Sequence, residues 1–250
     1  MICVVVCSAS EERAEAFRKH VDEVMAGDEY ELVSILRPRS LASGYNEGLA
    51  RSKGNPVVFC HDDIEFLGAD VPKRIRRHLE NFDGIGVAGT DKLIGPGWAG
   101  AGPPHLFGQI AHAMPNGGYS VVIFGISGLV APHMQAMDGL FLAFRRDVIE
   151  SIGWDSDVFD GFHLYDIDTC FRAYKGGCNL AVVNDIPLAH ASGGTYDDKL
   201  QVYADRFMRK SGSELPPAVV RRGTFSSVQV ATKAEALEVM SPRWLGDIQT

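Results

Sequence analysis

The chain has 250 residues, 46% of them hydrophobic, and a formal net charge of −8 at pH 7. This length allows one large α/β domain or two small ones, and the composition contains enough apolar residues for a sizeable core. The acidic balance argues against a nucleic-acid-binding protein, which needs a basic face to displace counterions.

Short apolar runs alternate with helical segments through the first 90 residues. The runs are residues 2–7, 31–36, 57–60 and 84–89, and their lack of polar alternation is typical of buried strands. Helical segments at about residues 10–25, 40–52 and 71–79 separate them. This order predicts a parallel, doubly wound sheet.

The character of the sequence changes between Asp91 and Pro132. The glycine- and proline-rich residues 95–104 do not favour regular structure, and residues 121–124 resemble a strand, alone or as half of a hairpin. A long irregular insert in a compact domain is usually either a functional loop or a disordered one.

Regular structure is predicted again in the second half of the chain. Residues 139–144 and 179–183 resemble strands, and residues 166–174 resemble a helix that ends at two glycines. Beyond residue 211 we expect a short strand at 226–230 and a short helix at 233–239.

Hydropathy and cysteine content indicate a cytosolic protein. No apolar run approaches the roughly 20 residues of a membrane helix, and residues 1–7 lack the basic leader and cleavage site of a signal peptide. The five cysteines are odd in number and form no CxxC pair. Several lie in apolar runs, which is typical of reduced, buried thiols.

The apolar run at residues 57–60 ends in His61, Asp62 and Asp63. In an open α/β sheet, ligands bind beyond the carboxyl ends of the strands. Carboxylates there are costly to desolvate unless a cation pairs with them, and a divalent metal carrying a diphosphate would be such a partner. The alternative is an acidic turn that only caps the next element.

A second acidic cluster, Asp166 and Asp168, lies near the start of a predicted helix. The two side chains point roughly 200° apart around the helix, so we expect them to have different roles. Asp168 and Arg172 have the spacing of a structural ion pair, and Asp166 either caps the helix or is functional. His190 follows the last strand, where it is either a ligand or bonded to backbone.

Five segments, taken together and in order, resemble family-2 glycosyltransferases of the type A fold, especially the bacterial subgroup linked to capsule and other surface polysaccharides. The segments are residues 43–50, 57–64, 137–143 and 165–172, and His190 with Ser192 and Gly193. They cover roughly residues 1–210. The resemblance implies a single Rossmann-like, doubly wound, mostly parallel sheet with a small antiparallel addition.

The resemblance also implies roles for individual residues. An Asp-x-Asp motif binds the donor ribose and a divalent metal in such enzymes, and here His61 replaces its first Asp while Asp63 keeps the metal position. Asp166 aligns with the catalytic base, preceded by Tyr165 where the family has Glu. His190 matches a histidine that completes the metal site in some relatives. We expect Asp63 to be the principal metal ligand, assisted by His190, with His61 or Asp62 as an additional ligand.

The remaining site assignments concern the two substrates. We assign donor binding to Ser8, Asn46, His61 and Asp62. We assign acceptor binding to Asp138, Gly139, Asp168 and Trp98. The insert is expected to cover the site as a lid, with Trp98, His105, Phe107 and Tyr119 available to stack on sugar rings.

The predicted function is therefore inverting, metal-dependent transfer of a sugar, with Mn²⁺ or Mg²⁺ as cofactor. The donor is a nucleoside diphosphate sugar, UDP-linked by the habit of the family, and the acceptor is a glycan or a lipid-linked sugar of a bacterial surface polysaccharide. We expect no nucleic-acid partner and no transmembrane segment. The location is cytoplasmic, either free or at the inner face of the membrane, and self-association is left open.

The predicted organisation is a catalytic domain at residues 1–210 and a C-terminal extension at 211–250. The catalytic domain divides into a nucleotide-sugar half at 1–90, an insert at 91–135 and an acceptor and catalytic half at 136–210. Two other functions remain open: a degenerate domain that only binds nucleotide or glycan, and a sugar-phosphate nucleotidyltransferase. The second normally has a glycine-rich basic loop after its first strand, which residues 7–10 lack.

Overall fold

A computed structural model of the chain describes residues 1–192, 199–217 and 225–241. The first seven strands are β1 (Ile2–Ser8), β2 (Tyr30–Leu36), β3 (Val57–His61), β4 (Ile64–Phe66), β5 (Gly84–Gly86), β6 (Ala88–Thr90) and β7 (Leu106–Ala113). The others are β8 (Tyr119–Gly125), β9 (Val130–Pro132), β10 (Ala136–Met137), β11 (Phe141–Phe144), β12 (Leu180–Val183), β13 (Leu188–His190) and β14 (Ser226–Val230). The helices are α1 (Glu11–Val24), α2 (Leu41–Arg51), α3 (Val71–Leu79), α4 (Arg146–Ile152), α5 (Tyr165–Lys175), α6 (Lys199–Ser211) and α7 (Lys233–Met240).

The central sheet has seven strands in the order β2-β1-β3-β11-β5-β12-β9. Five of them run in one direction, and β9 and β11 run against them. The five inner strands are apolar and buried along almost their whole length, because helices and the second sheet cover them, while the edge strands β2 and β9 are only partly buried. The predicted α/β fold is confirmed.

The second sheet has the order β10-β6-β7-β13-β4, with β8 beside β7 and β14 beside β8. One face packs on α7 through a small apolar cluster that includes Val121 and Met240. The other face packs against the core of the central sheet at its β13 and β4 end. In place of the predicted small antiparallel addition, the chain thus forms a second, mixed sheet, in which β13 runs parallel to β7 and the other neighbours are antiparallel.

The chain crosses between the two sheets at several points, and these crossings position the polar residues. Asp62 and Asp63 form the turn from β3 to β4, and residues 138–140 lead from β10 back to β11. Because β11 lies antiparallel beside β3, the His61 amide donates to the Leu140 carbonyl at 3.1 Å. Two acidic segments far apart in sequence therefore meet.

Local sequence explains how α2 packs against β1. Ser40 caps the helix reciprocally with Ser43. A Cβ added at Gly44 would be 2.5 Å from Cys7 Sγ, and one at Gly48 would be 2.2 Å from Val5 Cγ1. Gly44 and Gly48, which belong to the segment at residues 43–50, thus permit close approach of α2 and β1, which is a packing role.

Several predicted elements differ from the structure. Residues 84–89 form two strands, β5 and β6, which belong to different sheets. The insert contains the β7–β8 hairpin, so the expectation of an irregular segment was wrong there, although residues 121–124 do lie within a hairpin strand. Helices α4 and α6 were not predicted.

The predicted tail elements are present as β14 and α7, and both attach to the second sheet. Residues 218–224 and 242–250 of the predicted extension, and Gly193, lie outside the described residues. Along the described parts of the chain, no helix combines the length and apolarity needed to cross a membrane.

Candidate active site

A cavity of about 540 Å³ opens where β1 and β3 end and where β13 meets the turn after β3. Arg13 and Arg37 line one side, and Phe162, which is 55% exposed, lines another. The inner end is formed by Asp63 and the histidines beside it. The cavity therefore combines cationic side chains, an exposed aromatic ring and a carboxylate at a strand edge.

His61, Asp63 and His190 form a compact group at the inner end of the cavity. Each offers one ligand atom, and these atoms lie within 4.8 Å of one another. Asp63 Oδ1 is 3.2 Å from His190 Nε2 and 3.9 Å from His61 Nδ1. The structure thus brings together the two predicted metal ligands, Asp63 and His190, and His61, which the sequence analysis assigned to the donor and also offered as an additional metal ligand.

The electrostatics of this group favour an ionised Asp63 carboxylate beside a neutral His61 imidazole. Burial raises the pKa of Asp63, but hydrogen bonds from His190 and Ser192 outweigh burial and hold it below its usual value. Burial and the neighbouring His190 lower the pKa of His61. A neutral imidazole keeps a lone pair for a cation.

The donor set suits a divalent metal such as Mn²⁺ or Zn²⁺, because one carboxylate and two imidazoles offer three ligands and leave positions for other oxygens. The Tyr165 hydroxyl lies 3.0 Å from His61 Nε2, so it fixes the ring while Nδ1 faces Asp63. His190 Nδ1 is buried and has no such partner within the described residues. The residues present fit a metal, with outer-sphere support at one of the two imidazoles.

Asp62 lies beside this group but is held by other partners. It accepts a hydrogen bond from Ser8 Oγ at 2.5 Å and forms an ion pair with Arg13. Ser8 and Asp62 thus line the cavity together, on the side predicted for the donor. The sequence analysis did not identify Arg13 and Arg37 as site residues. The signal that could have identified them is their position shortly after the first two strands, where ligands bind.

Asp166 occupies the N-terminal turn of α5 and contacts the crossing from β10 to β11. Its Oδ2 accepts the Gly139 N–H at 2.8 Å. A Cβ at Gly139 would lie 2.4 Å from Tyr165 Oη and 2.8 Å from Asp166 Cβ, so only glycine permits this approach. Burial, followed by repulsion from Asp138, raises the pKa of Asp166 to about 7.

Asp138 connects Asp166 to the insert. Its Oδ1 accepts the Leu140 N–H at 3.0 Å, and its Oδ2 accepts the Trp98 indole N–H at 3.2 Å. The predicted acceptor residues Trp98, Asp138 and Gly139 therefore lie together beside Asp166.

Tyr165 links the two acidic groups, and sequence reasoning gave it no role. Its buried hydroxyl lies 3.0 Å from His61 Nε2 and 3.4 Å from the Gly139 carbonyl. Leu164, directly before it, adopts φ of 59°, which is a costly conformation for a branched residue. The only signal was a tyrosine where the resembling family has a glutamate.

Two predicted site residues have structural partners instead. The Asn46 amide donates to the Trp154 carbonyl at 2.7 Å and accepts the Trp154 N–H at 3.1 Å. Asp168 is 1% exposed and forms ion pairs with Arg172 at 2.8 Å and Lys210 at 2.6 Å. Neither residue lines the cavity, and their donor and acceptor roles stay predictions.

The other aromatic residues predicted to stack on sugars are also engaged elsewhere. His105 pairs with Asp91 at 2.8 Å, Phe107 packs against the central core, and Tyr119 packs in the cluster under α7. Of the four residues named in the insert, Trp98 is the one that contacts the candidate site.

The model of a family described as "Glycosyltransferase like family" matches residues 3–211. No curated protein sequence matches the chain. Among solved structures, a mannosyltransferase, PcManGT from Pyrobaculum calidifontis in complex with GDP-Man and Mn²⁺, is similar with a TM-score of 0.50 and 13% identity. GalNAc-T7 with UDP, GalNAc and Mn²⁺ is similar with a TM-score of 0.52 and 10% identity.

These structural likenesses bear on the fold alone, given their low identity. The similarity to PcManGT covers 87% of this chain and 65% of that one, and the similarity to GalNAc-T7 covers 83% and 48%. The chain thus spans about two thirds of one of these proteins and about half of the other. The predicted type A, Rossmann-like fold is confirmed.

Proposed function

The chain belongs to the glycosyltransferase-like family, and we propose that it is an inverting, metal-dependent member that uses a nucleoside diphosphate sugar. The observation that carries this proposal is the juxtaposition of two acidic groups. The His61, Asp63 and His190 group lies at the end of a cavity, and Asp166 lies behind it across Tyr165.

The cavity has features that suit a nucleoside diphosphate. Arg13 and Arg37 provide positive charge for phosphates, and the exposed Phe162 ring offers a surface for a base or ribose. The two similar structures contain GDP-Man and UDP, respectively, each with Mn²⁺. These precedents support a diphosphate with a metal but not one base over another, so uridine rests on the family resemblance.

Asp63, His190 and His61 would hold the metal through one carboxylate oxygen and two imidazole nitrogens. When bound, a divalent metal neutralises charge on the departing diphosphate. Ser8 and Asp62 orient Arg13 at the cavity wall. Tyr165 holds the His61 ring so that Nδ1 faces Asp63.

Asp166 is proposed as the general base that removes the proton from the attacking acceptor hydroxyl. A carboxyl with a pKa of about 7 accepts a proton more readily than an ordinary aspartate and is still substantially ionised near neutral pH. One displacement with one base inverts the anomeric centre. A glycosidase instead needs a second, protonated carboxyl group to assist the leaving group.

Calorimetry of UDP and GDP binding, with Mn²⁺ or with EDTA, tests the donor site. We expect Mn²⁺ to raise the affinity at least tenfold in the wild type and to have no effect in Asp63→Ala. Asp147→Ala is the matched control, because this aspartate is 65% exposed and lies on α4, and its salt bridge is to Arg145. Equal affinity with Mn²⁺ and EDTA in the wild type would refute the metal-dependent donor site.

The stereochemistry of the product tests the proposed reaction. NMR coupling constants of the new glycosidic bond should show an anomeric configuration opposite to that of the donor. A product that retains the donor's configuration would exclude a single displacement assisted by one base.

The finer assignments are supported by the sequence resemblance. We place the reaction in bacterial surface polysaccharide synthesis, in the cytoplasm or at the inner face of the membrane, with a glycan or lipid-linked acceptor. The family match ends at residue 211, which supports residues 1–210 as the catalytic domain and residues 211–250 as an extension. Oligomeric state can be measured by light scattering.

A further inference from the structure

The second sheet carries a surface beyond the candidate active site to which no role has yet been given. Its residues alternate along β8 and β14 with those that pack on α7. We name this surface the open face, and it consists of Ser120, Val122, Phe124, Phe225, Ser227 and Gln229. These side chains are partly or fully exposed, and Phe225 is 49% exposed.

A cross-strand row connects the open face to the metal-ligand candidates. His190 on β13 lies opposite His112 on β7, which lies opposite Ser120 on β8, which lies opposite Gln229 on β14. The His112 and His190 rings are 5.6 Å apart. Three strand spacings, about 14 Å, separate the His190 end of the row from the Gln229 end.

A series of aromatic rings runs from the open face to the candidate base. Phe225 lies 5.3 Å from Phe124, and Phe124 lies 4.8 Å from Trp98, measured between ring centroids. The Trp98 indole donates to Asp138, whose charge acts on Asp166. The exposed ring of Phe225 is therefore continuous, through packed side chains, with the place where an acceptor hydroxyl must react.

The chemistry of the open face suits a neutral saccharide. Aromatic rings bind the apolar face of a pyranose, and the serine and glutamine side chains bind its hydroxyls. None of the six residues carries a formal charge.

From this arrangement we infer that the open face is an acceptor subsite that binds a saccharide, with the ring on Phe225 and Phe124 and the hydroxyls on Ser120 and Gln229. This inference rests on the proposed function, since it names the class of acceptor. It also gives the C-terminal strand β14 a part in substrate binding that the sequence did not suggest.

Saturation-transfer NMR on the full chain, in the presence of UDP and Mg²⁺, provides the test. The probes are the methyl glycosides of glucose, galactose, mannose and N-acetylglucosamine. We expect at least one to bind the wild type, and Phe225→Ser and Gln229→Ala each to weaken it about fivefold or more. Val228→Ser is the matched control, because Val228 is 39% exposed on the same strand but points to the opposite face.

Three outcomes would overturn the inference. One is that none of the methyl glycosides binds the wild type. Another is that Val228→Ser weakens binding as much as Phe225→Ser, which would mean a general effect on β14. The third is that octyl glycosides bind at Phe225 while methyl glycosides do not, which would assign the face to a lipid chain.

Calorimetric titration of UDP into the same variants separates this inference from the proposed function. Phe225→Ser should bind UDP with Mg²⁺ as the wild type does, because Phe225 does not line the donor cavity. Failure of the wild type to bind either UDP or GDP with Mn²⁺ would refute the proposed function. If UDP binds normally but Phe225→Ser leaves saccharide binding unchanged, the acceptor subsite is refuted and the proposed function is not.

Discussion

Asp63 and Asp166 lie on the two sides of the Tyr165–His61 hydrogen bond, and their surroundings shift the pKa of the same functional group in opposite directions. Asp63 accepts hydrogen bonds from His190 and Ser192, which keep its pKa below the usual value despite burial. Asp166 is buried and repelled by Asp138, which together raise its pKa to about 7.

This difference in pKa shows how neighbouring groups can give two identical side chains different chemical roles. A permanently ionised carboxylate is suited to hold a cation, while one that titrates near neutral pH is suited to exchange a proton. Each of the two also has a neighbouring aspartate, Asp62 and Asp168, that is engaged in ion pairs. Substitutions of Asp62 and Asp168 therefore serve as controls for the roles assigned to Asp63 and Asp166.

The largest expected effect comes from removing the proposed base. Asp166→Asn should reduce turnover about 10²- to 10⁴-fold, because general-base assistance typically contributes that much. The affinity for UDP with Mn²⁺ should stay near the wild-type value, since Asp166 does not line the donor cavity. Steady-state kinetics and calorimetry on one preparation measure both quantities. Near-normal turnover on a verified acceptor would exclude Asp166 as the base.

Asp168→Asn should act on stability instead. The buried carboxylate pairs with Arg172 and Lys210, so its neutralisation removes both pairs and costs about 3 kcal/mol, although Lys210 keeps Asp155 as a second partner. Chemical denaturation measures this loss in the free energy of unfolding. Turnover per folded molecule should remain close to normal. A fall in turnover comparable to that of Asp166→Asn, with no loss of stability, would reverse the two assignments.

The contrast between these two aspartates also shows what the sequence could reveal. The spacing of Asp166 and Asp168 on the helix predicted different roles for them, and Arg172, four residues after Asp168, indicated one ion pair. The second partner, Lys210, comes from α6, a helix that was not predicted, so burial of Asp168 could not be foreseen. Similarly, the partner of Asn46 is the backbone of Trp154, more than 100 residues away.

Strand ends were the most reliable guide to the site. The abrupt change from apolar residues to His61, Asp62 and Asp63 located the turn between the two sheets. The β7 strand was missed because Gly108, which adopts φ of 101° at a register irregularity, interrupts its pattern just after a glycine- and proline-rich stretch. With β7 unrecognised, the second sheet and the position of His112 could not be inferred.

Tyr165→Phe tests whether the two carboxylate sites are coupled. Without its hydroxyl, the His61 ring loses the partner that holds Nδ1 toward Asp63, and loss of such outer-sphere partners typically weakens metal binding 10- to 100-fold. Calorimetry of Mn²⁺ with UDP should show this decrease. Tyr30→Phe is the control, since its hydroxyl donates to Asp22 at the protein surface. Unchanged Mn²⁺ affinity in Tyr165→Phe would show that the two sites are independent.

The pH dependence of rate and stability sharpens the comparison. If Asp166 must be ionised, kcat/KM should rise about tenfold per pH unit up to about pH 7 and then level off. The contribution of Asp166 to stability should show the opposite trend. The folded pKa of about 7 exceeds the ordinary 3.8, so Asp166 binds more protons in the folded state, and its contribution to wild-type stability falls as pH rises between these values.

Asp166→Asn provides the check on this titration. The variant should lack that loss of stability and should unfold at a higher temperature than the wild type at pH 8. Thermal unfolding across the pH range measures the difference. Parallel stability curves for the two proteins would mean that the Asp166 pKa is ordinary.

The smallest expected effect comes from Asp62→Asn, the neighbour of Asp63. Its partner Arg13 is 49% exposed, and ion pairs of this kind contribute about 1 kcal/mol or less, which limits the loss of UDP affinity to roughly fivefold. The amide oxygen still accepts a hydrogen bond from Ser8, so the wall of the cavity keeps its shape.

The Mn²⁺ dependence of UDP binding to Asp62→Asn should persist, and the loss of UDP affinity should be smaller at high salt because exposed charges are screened. Calorimetry at low and high salt measures both. If Asp62→Asn instead abolished the Mn²⁺ effect, Asp62 would be the metal ligand, and the contrast between Asp63 and Asp166 would no longer describe the site.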